Sequence, residues 1–91
     1  MRQDPSYFDD QELVLIHIAK RLKEALAVEE HLTTAGISFC VESDEYEGGF
    51  LFRTTRTGAF FYVAATDEAG AVETLEQKGI RPLPVELRTH H

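Results

Sequence analysis

Leu32-Thr33-Thr34-Ala35-Gly36-Ile37 returns further along the chain as Leu75-Glu76-Gln77-Lys78-Gly79-Ile80, one Leu-x-x-x-Gly-Ile frame used twice. Each copy closes a stretch whose apolar residues recur at helical spacing, and each opens an extended run. A glycine at that place can adopt the left-handed backbone that ends a helix. The frame therefore reads as a helix-to-strand junction, and two strand-helix-strand units follow from it. Joined in the order β-α-β-β-α-β, such units make the ferredoxin-like α+β arrangement, an antiparallel sheet with two helices on one face.

Upstream of the first junction, Leu22, Ala25, Leu26, Val28, Leu32 and Ala35 recur at three- and four-residue steps, which predicts an amphipathic helix over Ala19 to Ala35. Leu13 to Ile18 is a short apolar run suited to a first strand, and Ile37, Phe39 and Val41 share one face of a second. Glu42 to Gly49 is acidic and ends in a glycine pair, the composition of a solvated turn. Phe50 to Thr55 and Ala59 to Ala65 then flank Arg56-Thr57-Gly58, so the third strand is expected to fold into a hairpin with Gly58 in its turn. Thr66 or Asp67 caps a second helix running to about Lys78, with Val72 and Leu75 inside. Pro82 and Pro84 confine Arg81 to Leu87 to an edge strand or a tail. The expected organisation is a flexible arm over 1–11, one domain over 12–85 and a tail over 86–91. Aligning the two junctions sets Glu29 where the second helix has Val72, near the middle of the apolar stripe. A buried carboxylate needs a partner; turning the helix by a few tens of degrees would free it.

A chain of 91 residues has room for one domain, whose folding buries only about 60 to 65% of its surface. A net charge of -7 repels a phosphate backbone, so general nucleic-acid binding is disfavoured. No apolar stretch approaches the roughly 20 residues that cross a bilayer. Cys40 is the single cysteine and the opening residues lack an apolar leader, which places the expected protein in the cytoplasm.

A strand ending near Ile18-Ala19, Glu24-Ala25 early in a helix, the first junction, and the passage from Val63 to Leu75 together resemble the small bacterial domains classed as signal-transducing proteins of unknown function, which are compared in fold with the PII-type nitrogen regulators. The resemblance covers about residues 13 to 80. It implies a ferredoxin-like fold and a regulatory or binding role, and it implies no reaction, ligand or site residue. Glu42 to Gly49 is too short to stand in for the long nucleotide-binding loop of the nitrogen regulators.

Four residue groups carry chemistry that could matter. Arg53, Thr55, Arg56, Thr57 and Gly58 could grip a phosphate or carboxylate, although Thr and Arg are also ordinary residues of an exposed strand. Glu42, Asp44, Glu45 and Glu47 lack the spacing of a calcium loop and read as hydrated carboxylates. His17 and Cys40 lie on strands that could be neighbours and His31 on the first helix, but no zinc spacing joins them and nothing lowers the thiol pKa for nucleophilic work. His90-His91 belongs to the tail. No glycine-rich phosphate motif, nucleophile elbow or metalloprotease helix is present, so neither a metal nor a cofactor is expected.

The strands are apolar on both faces. Leu13 and Leu15 alternate with Val14, Ile16 and Ile18; Leu51 separates Phe50 from Phe52; Phe61 and Val63 alternate with Phe60 and Tyr62. Two helices cover one face, which leaves the other for association, most simply a homodimer or other homo-oligomer through the open sheet face or a strand edge, with Leu51, Phe61 and Val63 as interface candidates. In the plainer alternative, the arm around Tyr7 and Phe8 or the segment Pro82 to Leu87 folds over that face. The expected function is a small non-enzymatic regulatory or interaction module, acting through protein contacts and an anionic small ligand. Its rival is an oligomeric ferredoxin-like enzyme with a site at the subunit boundary using Arg53, Arg56 or Glu29.

Overall fold

Among the described residues three strands and two helices form in the order β1 (Leu13–Ala19), α1 (Leu22–Thr34), β2 (Phe39–Gly48), β3 (Thr54–Ala64) and α2 (Glu68–Gln77). The computed structural model describes residues 1–48 and 54–88, with the backbone alone at 44–48 and 54–56. The strands make one antiparallel sheet in the order β1-β3-β2. Among the described residues no closing fourth strand follows α2: Arg81 to Pro84 is irregular and runs into a 3-10 turn, Val85–Leu87. Prolines at 82 and 84 remove two of the amide donors that a ladder would need.

Both copies of the repeated frame end their helix in the same way. The amide of Ile37 donates to the Leu32 carbonyl at 3.0 Å and that of Gly36 to Thr33 at 3.0 Å; the amides of Ile80 and Gly79 do the same to Leu75 and Glu76 at 2.9 and 3.0 Å. Gly36 and Gly79 sit at φ of 76° and 75°. This is the Schellman termination, and it satisfies carbonyls that the helix leaves unpaired. A Cβ on Gly36 would meet nothing within 4 Å, so substitution there strains only the backbone. Gly36→Ala is expected to cost about 1–2 kcal/mol and Gly36→Asn less, read as a drop in thermal midpoint of about 4–8 °C per kcal/mol. Equal stability of the alanine variant would show that the left-handed residue is not required.

The expected hairpin inside the third strand is not formed. β3 runs unbroken through Arg56, Thr57 and Gly58, which pair with Tyr46, Glu45 and Asp44 of β2. The acidic run expected as a turn is thus strand as far as Gly48, which pairs with Thr54. Composition misled at this point because Glu, Asp and Thr suit a two-stranded ribbon facing water as well as they suit a turn; Glu42, Ser43 and Thr57 are exposed. Gly58 is not among the glycines at positive φ.

On β1 the register slips between Leu15 and His17, so Ile16 is an added residue opposite β3. Such a bulge reverses the alternation beyond it. Val14, Ile16 and Ala19 join Phe39, Phe61 and Val63 under Ala25, Val28 and Leu32 of α1 and Ala71 and Leu75 of α2. Leu15 faces the other way with Cys40, Phe60, Tyr62 and Ala64, and Ile18 packs against this second group. Phe61 and Val63, the interface candidates of the sequence reading, are fully buried beneath the helices. The third, Leu51, lies outside the described residues.

The second face is also shielded. Phe8, 2% exposed, packs on it, with Leu83 at its border and Pro82 buried nearby. Residues 1–11 are therefore tied down: Arg2 bridges Phe39, the Gln3 amide donates to the Phe39 carbonyl at 2.7 Å, and the Phe39 amide donates to Met1 at 3.0 Å. Asp4 caps the 3-10 turn Pro5–Phe8 by accepting from the Ser6 amide at 3.0 Å, a bond that holds its carboxyl below the usual range. At the other border the Leu83 amide donates to the Ile16 carbonyl at 2.8 Å, and Arg88 bonds the Leu83 carbonyl and Glu68 at 2.8 and 2.9 Å. Both terminal segments supply the cover that the sequence reading had assigned to a partner. Among the described residues no helix is long and apolar enough to cross a membrane.

Candidate anion cleft at the start of the first helix

Where β1 ends, the side chains across the sheet become small. In the rows beneath the helices, Val14, Val63 and Phe39 give way to Ala19, Ala59 and Ser43, with Gly58 next along β3. A layer that loses its large side chains leaves room above it, and the first turn of α1 stands over that room. The result is a cleft of about 210 Å³ lined by Ala19, Lys20, Arg21, Leu22, Ala25, Ser43, Thr57, Gly58 and Ala59. This volume lies below the range of drug-sized pockets and suits a small polar group.

The charges around the cleft oppose the usual helix pattern. Helix starts favour Asp and Glu, because the unpaired amides and the macrodipole make that end positive. Here Lys20 and Arg21 line the cleft, Lys23 follows in the first turn, and Arg21 occupies the N-cap with no side-chain hydrogen bond. Among the described residues none of the three makes an ion pair. Three of the nine Lys and Arg residues of a chain with net charge -7 are thus gathered at the positive end of one helix. The acidic residue of that turn, Glu24, is engaged by His17 at 2.8 Å.

Of the residues singled out in the sequence, Thr57 and Gly58 line this cleft. Thr55 and Arg56 are placed on β3 by their backbone, opposite Glu47 and Tyr46. Arg53 lies outside the described residues, as does His90-His91. Lys20, Arg21, Lys23 and Ser43 were missed. Their signal was legible as three basic residues at the predicted start of a helix, where acidic ones belong.

The remaining candidates do not converge. β3 separates β1 from β2, and His17 bonds α1 whereas Cys40 belongs to the opposite face, so the two cannot act as a pair. His31 is half-buried near the end of α1. Glu42, Asp44, Glu45 and Glu47 are consecutive or near neighbours along the backbone of β2. Among the described residues no group of three His, Cys, Asp or Glu side chains could hold a metal ion. Glu29 is partly exposed, 3.6 Å from Arg2, so the carboxylate on the apolar stripe found its partner in the N-terminal segment. No protein-family model, no curated protein and no solved structure matches the chain.

Proposed function

We propose that the protein is a small non-enzymatic regulatory module that binds an anionic ligand in the cleft at the start of α1. The observation that carries this reading is the gathering of Lys20, Arg21 and Lys23, unpaired among the described residues, at the positive end of a helix beside the hydroxyls of Ser43 and Thr57. Like charges at that place work against the fold, and local rules are broken in this way chiefly at functional sites. A phosphate or carboxylate would accept from the guanidinium, ammonium and hydroxyl groups together. Leu22, at the lip of the cleft, and Leu26, one turn on, are 75% and 55% exposed, which makes α1 a suitable surface for a protein partner that reads whether the ligand is bound. A ferredoxin-like arrangement, with the segment after Ile80 in place of the last strand, is supported by the β1-β3-β2 order.

Thermal-shift screening with inorganic phosphate, nucleotides and di- and tricarboxylates tests the reading. A ligand at about 100 times its Kd should add about 2.7 kcal/mol to stability. The double variant Lys20→Glu, Arg21→Glu should fold and lose that gain, while amide shifts in the unmodified protein map to residues 20–25, 43 and 57–59. No stabilising anion, or an equal response in the variant, would sink the proposal. Light scattering with and without the ligand reads the protein-contact half through a change in mass that Leu22→Lys abolishes; an unchanged mass confines the module to ligand binding.

A further inference from the structure

We propose that His17 is a proton-operated latch on the C-terminal segment, closed when its imidazole carries both ring protons. Among the described residues His17 is the one buried polar or charged side chain, and it follows the bulge that brings two successive β1 residues to the helix side of the sheet. Its Nε2 stands 2.8 Å from Oε1 of Glu24 on α1, and its Nδ1 stands 3.1 Å from the carbonyl oxygen of Arg81. Both partners are acceptors. A neutral imidazole has one N–H and satisfies one of them, leaving a lone pair aimed at the other oxygen; the doubly protonated ring donates to both.

The charged groups around the ring are Glu24 from α1, Lys20 just past β1, and Arg81 from the segment after α2; they line the same pocket with Pro82, Leu83 and Pro84. From β3 the register partner is Phe61, which does not titrate. Two residues beyond the latched carbonyl, the Leu83 amide makes its bond to Ile16, and Leu83 packs on the face formed by Leu15, Phe60 and Tyr62. A neutral ring that keeps its N–H on the Glu24 carboxylate loses the Arg81 contact and loosens the segment over this face, which is then held by the Leu83 bond to Ile16 and by Arg88 on Glu68. Protonation of one ring is thereby coupled to whether an apolar surface is covered.

Amide exchange of Leu83 in the full chain, corrected for its intrinsic rate and followed from about pH 5 to 8, is the test. Protection should fall by about tenfold or more as pH rises in the unmodified protein. It should be low and flat in His17→Gln, and in Glu24→Gln, whose site is partly exposed, the fall should move to lower pH. That second variant keeps the test decisive if His17→Gln does not fold. The latch is overturned if Leu83 protection follows the same curve in Glu24→Gln, or if ring 15N shifts report a singly protonated His17 while Leu83 stays protected.

Discussion

Phe61→Ala is expected to destabilise the domain by about 3–5 kcal/mol, the cost of removing a buried aromatic side chain and leaving a cavity. Phe61 lies on the central strand, fully buried, with Val41 on one side of it in register and His17 on the other. Its ring is tilted against that of Phe39, with centroids 5.9 Å apart. A domain of this size holds about 5–14 kcal/mol in total, so the variant should lose much or most of its cooperative unfolding transition. Urea unfolding followed by circular dichroism measures the loss, with Leu26→Ala on the exposed side of α1 as a control that should change little. A cost for Phe61→Ala below about 1 kcal/mol would mean that this residue faces outward, as an interface residue would.

The second large effect concerns the cover. Phe8→Ala removes the ring that packs on Leu15, Cys40, Phe60, Tyr62 and Ala64, at an expected cost of about 3 kcal/mol. Cys40, 1% exposed, reports that opening directly. Burial, then the nearby charges of Glu42 and Asp4, push its thiol pKa up, so both access and thiolate fraction hold its reactivity down in the folded protein. With about 1.4 kcal/mol per factor of ten, Phe8→Ala should speed modification by an aromatic disulfide reagent about a hundredfold if the lost energy falls on the local opening. Rapid reaction of the unmodified protein, or no change in the variant, would show that Phe8 is not the shield. The same shift has a pH signature. A raised pKa means that the folded state holds the thiol proton more tightly, so this contribution is complete below the ordinary thiol range and is lost as pH rises from about 8.5 upward. Cys40→Ala should flatten that part of the stability curve, whatever its cost at neutral pH.

Much of the architecture was legible as periodicity. Three- and four-residue steps marked the first helix and an acidic start marked the second, both to within a few residues, and the repeated Gly-Ile frame marked their ends, because a left-handed termination needs a residue without a side chain at one position only. The strand through Gly58 was not legible. Whether Glu42 to Gly48 turns or continues depends on whether Thr54 to Gly58 lies alongside to accept its hydrogen bonds, and that is a property of the pair. The bulge at Ile16 was equally hidden: an alternating apolar run carries no mark where it gains a residue, yet the slip brings Ile16 and His17 to one side and Ile18 to the other. Half of the candidate site was legible in the same limited way. Thr57 and Gly58 were singled out for their chemistry, but the cations that stand beside them come from the far end of β1.

Residue order alone decided the α+β class, the two helices, their glycine stops and the surplus of apolar side chains on both faces of the strands, since each depends on neighbours a few positions apart. Tertiary structure decided what covers that surplus. Phe8 and Leu83 are far from each other and from Tyr62 along the chain, and only the meeting of both terminal segments on one sheet face makes the protein its own partner there. Local spacing sets which side chains need shelter from water; the burial that shelters them is gained through contacts between distant segments, and these exist only once the sheet has formed.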